Sequence, residues 1–342
     1  MKKIAFAFIS AALFASCSAS AEQAPPYKQH PNEILLVGNK GEDTLSFIDL
    51  TTGREIARRD TGKNPHEVAI SPDGRLAAIV SYGAQHIDIF DIAAREKIET
   101  IDLAPNKRPH GIVWLDDGRI IASTEGSDSI AIVSPPTGEA QTRQVSQIST
   151  GQKGSHMVVV TPDKNRAFTS NMQSGTVSVL DLERNRKITD VEAGTEPEGI
   201  AVTPDGKTVW VADRRSDSLY VFDAQTLEEL TVLKTGKFPI RVAISPDGKT
   251  AVTSNYADGA LGLFDVASRK PKGQIKVSGT PDSGQVTILF SADGQRLYVA
   301  ETELNRIAEI DMIEGKLIGR LAGGTNGDGL GIARAVKASH ND

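Results

Sequence analysis

Cysteine is all but missing. The 342 residues hold one, Cys17, near the N-terminus. A lone cysteine closes no intramolecular disulfide. The rest of the chain has no thiolate for a Cys-ligated zinc site, an iron–sulfur cluster or the C-x-x-C-H attachment of c-type haem. Stability must come from packing. Aromatic residues are scarce too, at 5% with two tryptophans. Trp114 and Trp210 fall inside strand-like runs and read as packing residues, not as a substrate platform. Beyond Ile4 to Ala15 there is no long apolar run, so the mature chain is expected to have no transmembrane helix. Positive charge is in deficit: the formal net charge is −6, and about −8 once Lys2 and Lys3 leave with a leader. The pairs Arg58-Arg59, Lys107-Arg108 and Arg214-Arg215 are scattered and form no stripe for a phosphate backbone, which argues against nucleic acid as a partner. G-x-S-x-G, H-E-x-x-H, P-loop and EF-hand patterns are all absent. The run GGTNGDGLG from Gly323 to Gly331 precedes a final strand with no βαβ unit, so it reads as a loop leading into that strand.

What is present starts with an export signal. Lys2 and Lys3 precede an apolar stretch too short to span a bilayer. Ala19-Ser20-Ala21 fits a small-x-small cleavage site, giving a signal peptide over 1–21. Phe14-Ala15-Ser16-Cys17 resembles a lipobox, which would end the signal at 16 and leave a lipid anchor on Cys17. Residues 22–33 are polar with three prolines and read as a tether, and 337–342 read as a disordered tail. The expected place is the periplasm or cell envelope.

Between tether and tail the chain repeats itself about every 42 to 46 residues, seven times. The units show as HEVAISPDG from His66, HGIVWLDDG from His110, HMVVVTPDK from His156, EGIAVTPDG from Glu198, RVAISPDG from Arg241 and VTILFSADG from Val286. Each holds four short apolar runs, and the Pro and Asp-Gly pairs between the first two supply a tight reversal. Lys164 stands where other repeats have Gly, so a different or strained turn is expected there. The expected fold is all-β: a seven-bladed β-propeller of four-stranded antiparallel blades, one domain over 34–336. The chain begins with three runs lacking a first strand and ends with GLGIARAV, a first strand lacking its followers. Joining that C-terminal inner strand to the three N-terminal strands closes the ring.

These units resemble the YVTN-type β-propeller repeat family, as in RAFTSNMQSGTVSVLDL from Arg166, TVWVADRRSDSLYVFDA from Thr208 and TAVTSNYADGALGLFDV from Thr250. The resemblance covers about residues 34 to 336 and implies the fold. For function it implies only a range: binding scaffolds, cell-surface proteins and lactonase-like enzymes.

Chemistry is expected where the loops leading into the innermost strands meet those between the second and third strands, around one channel mouth. His66, His110 and His156 hold one equivalent place in consecutive repeats, a pattern suited to an open three-His site for a divalent metal. Glu198 and Ile240 follow at that place. A second ring comes from the ends of the second strands: Asn39, Ser81, Thr124, Asn171, Asp213, Asn255 and Glu301. Glu67, Glu198, Asp213, Arg214, Arg241, Tyr256 and Glu301 are thus candidate ligand-binding residues, with Tyr82 and Glu125 on the same rim. The loops around Thr280 to Gln285 and Gln144 to Lys153 depart most from the repeat and are expected to border the site or a partner surface. The leading expectation is an exported, non-enzymatic propeller that needs no cofactor and binds a small ligand or envelope protein. A metal-dependent lactonase-like hydrolase, or an accessory of a periplasmic quinone or haem system, are the alternatives.

Overall fold

Alternating apolar residues rich in Val, Ile and Leu, broken by Pro-Asp-Gly turns, fold into strands wherever each run can bury a face. The computed structural model describes residues 32–138 and 142–334, so the leader, Cys17, nearly all of the tether and the tail lie outside the described residues. The described residues form 28 strands, numbered in chain order from β1 (Glu33–Asn39) to β28 (Gly327–Arg334), in seven four-stranded sheets. They build a seven-bladed propeller of antiparallel blades.

Blade 1 carries both ends of the chain. Its order is β28, β1, β2 (Thr44–Asp49) and β3 (Arg54–Asp60), with Glu33 opposite Arg334 and Asn39 opposite Gly327. Blades 2 to 7 follow in chain order. Their innermost strands are β4 (Pro65–Ile70), β8 (Pro109–Trp114), β12 (Ser155–Val160), β16 (Pro197–Val202), β20 (Pro239–Ile244) and β24 (Gln285–Phe290). The hydrophobic core is divided among the blade interfaces. Val80, Ile87 and Ile89 of blade 2 pack on Ile112, Ile120 and Ala122 of blade 3. Leu35, Val37 and Ile48 of blade 1 pack on Tyr298, Ala300 and Ile307 of blade 7, which closes the circle.

The turns behave as short-range chemistry requires. In five repeats a Ser or Thr hydroxyl donates to the Asp two residues on, as Ser71 does to Asp73 at 2.6 Å, and that Asp accepts from a later backbone amide. Lys164 makes the same turn as the glycines by adopting φ +61°, and so carries the strain that glycine avoids. Glycine is needed elsewhere for closeness. A Cβ on Gly199 would lie 2.6 Å from Arg241 Cα, and one on Gly329 would lie 1.8 Å from the His66 carbonyl oxygen. These contacts draw neighbouring inner strands together and fix the spacing of the side chains at the channel mouth.

Candidate functional site

Each inner strand contributes its second residue to one layer: His66, His110, His156, Glu198, Ile240, Val286 and Asp328. The third residue adds Glu67, Arg241 and Thr287. On this face the loop between a blade's second and third strands bonds to the loop leading into its inner strand, as Tyr82 N to Asn64 O and Gly83 N to Lys63 O. Those bonds hold Lys40, Tyr82, Glu125, Arg214 and Tyr256 at the rim.

Arg241 spans the layer. From blade 6 its guanidinium reaches Glu67 Oε1 of blade 2 at 2.8 Å, on the far side of the ring, and Glu198 Oε1 of blade 5 at 2.9 Å. The arginine is 5% exposed, so this ion pair obstructs the channel. Glu198 is shared further. Arg214 Nη1 meets its second oxygen at 2.6 Å, while Arg214 and Arg215 also hold Glu196. Across the mouth Lys40 pairs with Asp328 at 2.9 Å, and Thr287 donates to the other oxygen of Asp328. Burial would raise the Glu198 carboxyl, but His156, Arg241 and Arg214 hold it down at about 2. Asp328 is likewise held far below the carboxylate range, against its burial, by Lys40 and Arg241.

The three histidines stand side by side. Ring centres are 4.6 Å apart for His66 and His110 and 3.7 Å for His110 and His156, with Tyr82 4.8 Å from His66. Their surroundings differ. His66 Nδ1 lies 2.9 Å from the Asn64 carbonyl, which can only accept, so Nδ1 carries the proton and Nε2 the lone pair. Burial holds His66 at about 4. His110 has no carboxylate partner, and its buried Nδ1 has no hydrogen-bond partner at all. Burial and the neighbouring charge of His156 push it well below its usual value. His156 is opposite in sense: burial disfavours its charge, but Glu125 at 2.8 Å from Nδ1 and Glu198 at 3.5 Å from Nε2 outweigh it and raise its pKa. The three adjacent rings therefore face different partners: a backbone carbonyl at His66 Nδ1, none at His110 Nδ1, and a carboxylate at His156 Nδ1 with a second near its Nε2. Tyr82 donates to the other oxygen of Glu125 at 3.0 Å and ties the rim to this pair.

The chain's likeness to known proteins agrees with this architecture. The family model described as lactonase, 7-bladed beta-propeller, matches residues 39–272. The chain belongs to the seven-bladed β-propeller lactonase family. No curated protein matches. Among solved structures, hydrazine synthase of Kuenenia stuttgartiensis is similar at 15% identity with a TM-score of 0.67, over 79% of this chain and 95% of that one. A functionally unknown protein from Desulfotomaculum acetoxidans DSM 771 is similar at 15% identity with a TM-score of 0.71, over 89% of this chain and 99% of that one. At such identities the likeness shows the fold alone.

Within this lactonase-family propeller the expected residues divide. His66, Glu67, His110, His156, Glu198, Arg214 and Arg241 come together. Asp213 and Glu301 do not face the mouth as free groups. Asp213 accepts from the backbone amides of Thr195, Glu196 and Arg215, and Glu301 holds Arg306 and Arg320. Tyr256 packs edge-on against Phe238, 5.9 Å between centres, at the rim. The histidine rings pack against one another, and among the described residues no three His, Cys, Asp or Glu side chains are grouped to hold a metal ion. The loop around Thr280 becomes a 3-10 turn, Pro281–Ser283, on the mouth face. The second loop expectation divides: Val145–Ser149 is an outer strand, residues 150–154 lead into β12 on the mouth face, where Gln173 N bonds to Lys153 O, and residues 134–138 and 142–144 of blade 3 lie on the opposite face. There Pro136 and Arg143 line a groove of about 720 Å³ with Ile98, Glu99 and Ile101, away from the charged layer. Asp328 escaped the sequence reading, though G-D-G-L could have been aligned with P-E-G-I and P-H-G-I. Lys40 and the Glu125–His156 pair carried no repeat signal.

Proposed function

We propose that the channel mouth hydrolyses a lactone or ester by acid–base chemistry of its histidines, in an exported protein of the cell envelope. The observation that carries this is the difference in partners among three adjacent imidazoles, a carbonyl for His66, none for His110 Nδ1 and carboxylates for His156, because groups whose surroundings push their pKa values apart can serve as base and acid at one pH. His66 Nε2, the lone-pair nitrogen, takes a proton from water as the hydroxide adds to the substrate carbonyl. His110 is neutral with Nδ1 buried. It leaves that nitrogen as the unprotonated one, since an unmet lone pair costs less than an unmet N–H, and so presents Nε2–H to the developing oxyanion. The His156 imidazolium, fixed by Glu125 and Glu198, keeps His110 neutral and adds positive field. Breaking the ring C–O bond releases an alkoxide that takes back the proton held on His66 Nε2, which restores the neutral imidazole and gives the hydroxy acid. Family membership supports the reaction class. Residues 1–21 support export.

The test is pH-stat hydrolysis of a panel of lactones and aryl esters by the wild type, with and without chelator, and by His66→Gln and His110→Gln. Expected are turnover by the wild type that survives the chelator and a fall of roughly 10²–10⁴-fold in His66→Gln. Binding without turnover would overturn hydrolysis in favour of ligand capture. Loss of activity to the chelator would overturn the metal-independent assignment.

A further inference from the structure

One place in the rim is built with strain. The residue just before an inner strand accepts, through its carbonyl, the amide that opens the loop between the blade's second and third strands. Asn64, Gly154, Gly284 and Asn326 do this at φ between +51° and +75°, a conformation that suits Asn and Gly. Arg108 and Phe238 take the same place at φ +52° and +56°, where a bulky side chain is strained. The loop bond does not require such residues, since Tyr82 N meets Asn64 O and Tyr256 N meets Phe238 O at the same 3.0 Å. What sets the two apart is the side chain. Arg108 places its guanidinium 5.7 Å from the Tyr82 ring centre. Phe238 packs edge-on against Tyr256, with the Arg214 guanidinium 5.3 Å from its ring centre. Tyr82, Phe238 and Tyr256 are all part-exposed at the mouth.

The Phe238 pair faces the histidines across the mouth. Phe238 and Tyr256 belong to blade 6 and His66 to blade 2, and the Arg241–Glu67 ion pair joins these two blades across the layer. On the blade 6 side, Arg214 runs from the Phe238 ring to Glu198, whose other oxygen lies 3.5 Å from His156 Nε2. We propose that Phe238 and Tyr256 form a subsite for an apolar substituent, so that the lactone or ester taken by the mouth carries an alkyl or aryl group of several carbon atoms. This rests on the hydrolytic reading of the same site. A carbonyl bound at His66 stands across the mouth from Phe238, a gap that a pentyl chain can approach and a methyl group cannot. Each methylene that leaves water for the two rings favours the longer substrate. The strained backbone at Phe238 is then retained for what its ring touches.

γ-Valerolactone and γ-nonanolactone share the reacting ring and differ by a methyl against a pentyl group at one carbon. Wild type is expected to hydrolyse the nonanolactone with kcat/KM at least about tenfold higher. Phe238→Asn installs the residue that Asn64 and Asn326 show this place accepts at positive φ, so the variant is expected to keep the fold. It is expected to narrow the ratio to within about threefold by loss of nonanolactone turnover alone. Tyr256→Ala is expected to act in the same direction and carries the test should Phe238→Asn fail to fold. Equal turnover of the two lactones by wild type would overturn the subsite while leaving hydrolysis standing. A fall of equal size for both lactones in Phe238→Asn would make the ring a support for Arg214 and would overturn it too. Hydrolysis of neither compound nor of any other in the panel would overturn the reaction itself.

Discussion

His66 and His156 differ only in their neighbours, and that difference makes stability depend on pH in opposite senses. The unfolded chain protonates His66 near 6.5, the folded one near 4. Between those values the unfolded state binds the extra proton, so stability falls as pH drops through that window and levels below it. Glu198 extends the fall from its usual 4.5 down to about 2. His156, raised in the fold, contributes below 6.5 and is lost as pH rises through its folded value. Stability should peak near neutrality. Chemical denaturation at pH 7 and pH 4.5 is expected to show a smaller acid loss in His66→Gln than in wild type, by up to about 3 kcal/mol. An identical loss in both would place the titration elsewhere. Arg241 sets a second test. Its removal leaves Glu67 and Glu198 buried without their cross-channel partner, so Arg241→Ala should cost about 3–5 kcal/mol, read from urea midpoints. A cost near zero would mean that the channel floods and hydrates both carboxylates.

At the scale of elements, β28 carries two duties. It supplies the inner strand of blade 1, and Gly329 lets it approach β4 closely enough to set Asp328 beside His66. Truncation after Asn326 removes the strand, exposes the edge of β1 and the interface around Leu330, and should lower Tm sharply. If the truncated chain melts with the full-length protein, ring closure is misassigned. Gly329→Ala tests the contact alone: the added methyl meets the His66 carbonyl, at an expected cost of at least about 2 kcal/mol. Unchanged Tm and unchanged activity would argue against the close approach. The strands, the turns and the closure could be read from the sequence because each depends on chemistry a few residues apart, as Ser71 and Asp73 show. The layer was half legible. Repeat alignment found His66, His110, His156 and Glu198, but Asp328 hid in a glycine-rich run that looked like a loop. Asp213 and Glu301 misled for the opposite reason. Their place in the ring at the ends of the second strands made them candidates, whereas each carboxylate serves its own blade, on loop amides in one case and on Arg306 and Arg320 in the other. Side-chain partners that lie blades apart, as Arg241 and Glu67 do, leave no pattern in a single sequence.

In the molecule as a whole, charge is organised by place. The chain carries an excess of carboxylates, yet Glu67, Glu125, Glu196, Glu198 and Asp328 at the mouth are all held by Lys, Arg or His, with Arg214 and Arg241 each serving two. Seven sheets that bury their faces only against neighbours should unfold in one transition once closed. Calorimetry is expected to show a single endotherm, and a separable early transition would divide the ring. The functional account depends on one property of this assembly, the unequal protonation of three neighbouring imidazoles, and that can be measured before any substrate is known. Selective ¹⁵N-histidine labelling with NMR titration from pH 4 to 9, assigned by His66→Gln, His110→Gln and His156→Gln, reads each ring directly. The account predicts His66 and His110 neutral at pH 7, His66 as the Nδ1–H tautomer titrating near 4, and His156 still imidazolium at pH 7. Three rings titrating together near 6.5 would contradict it.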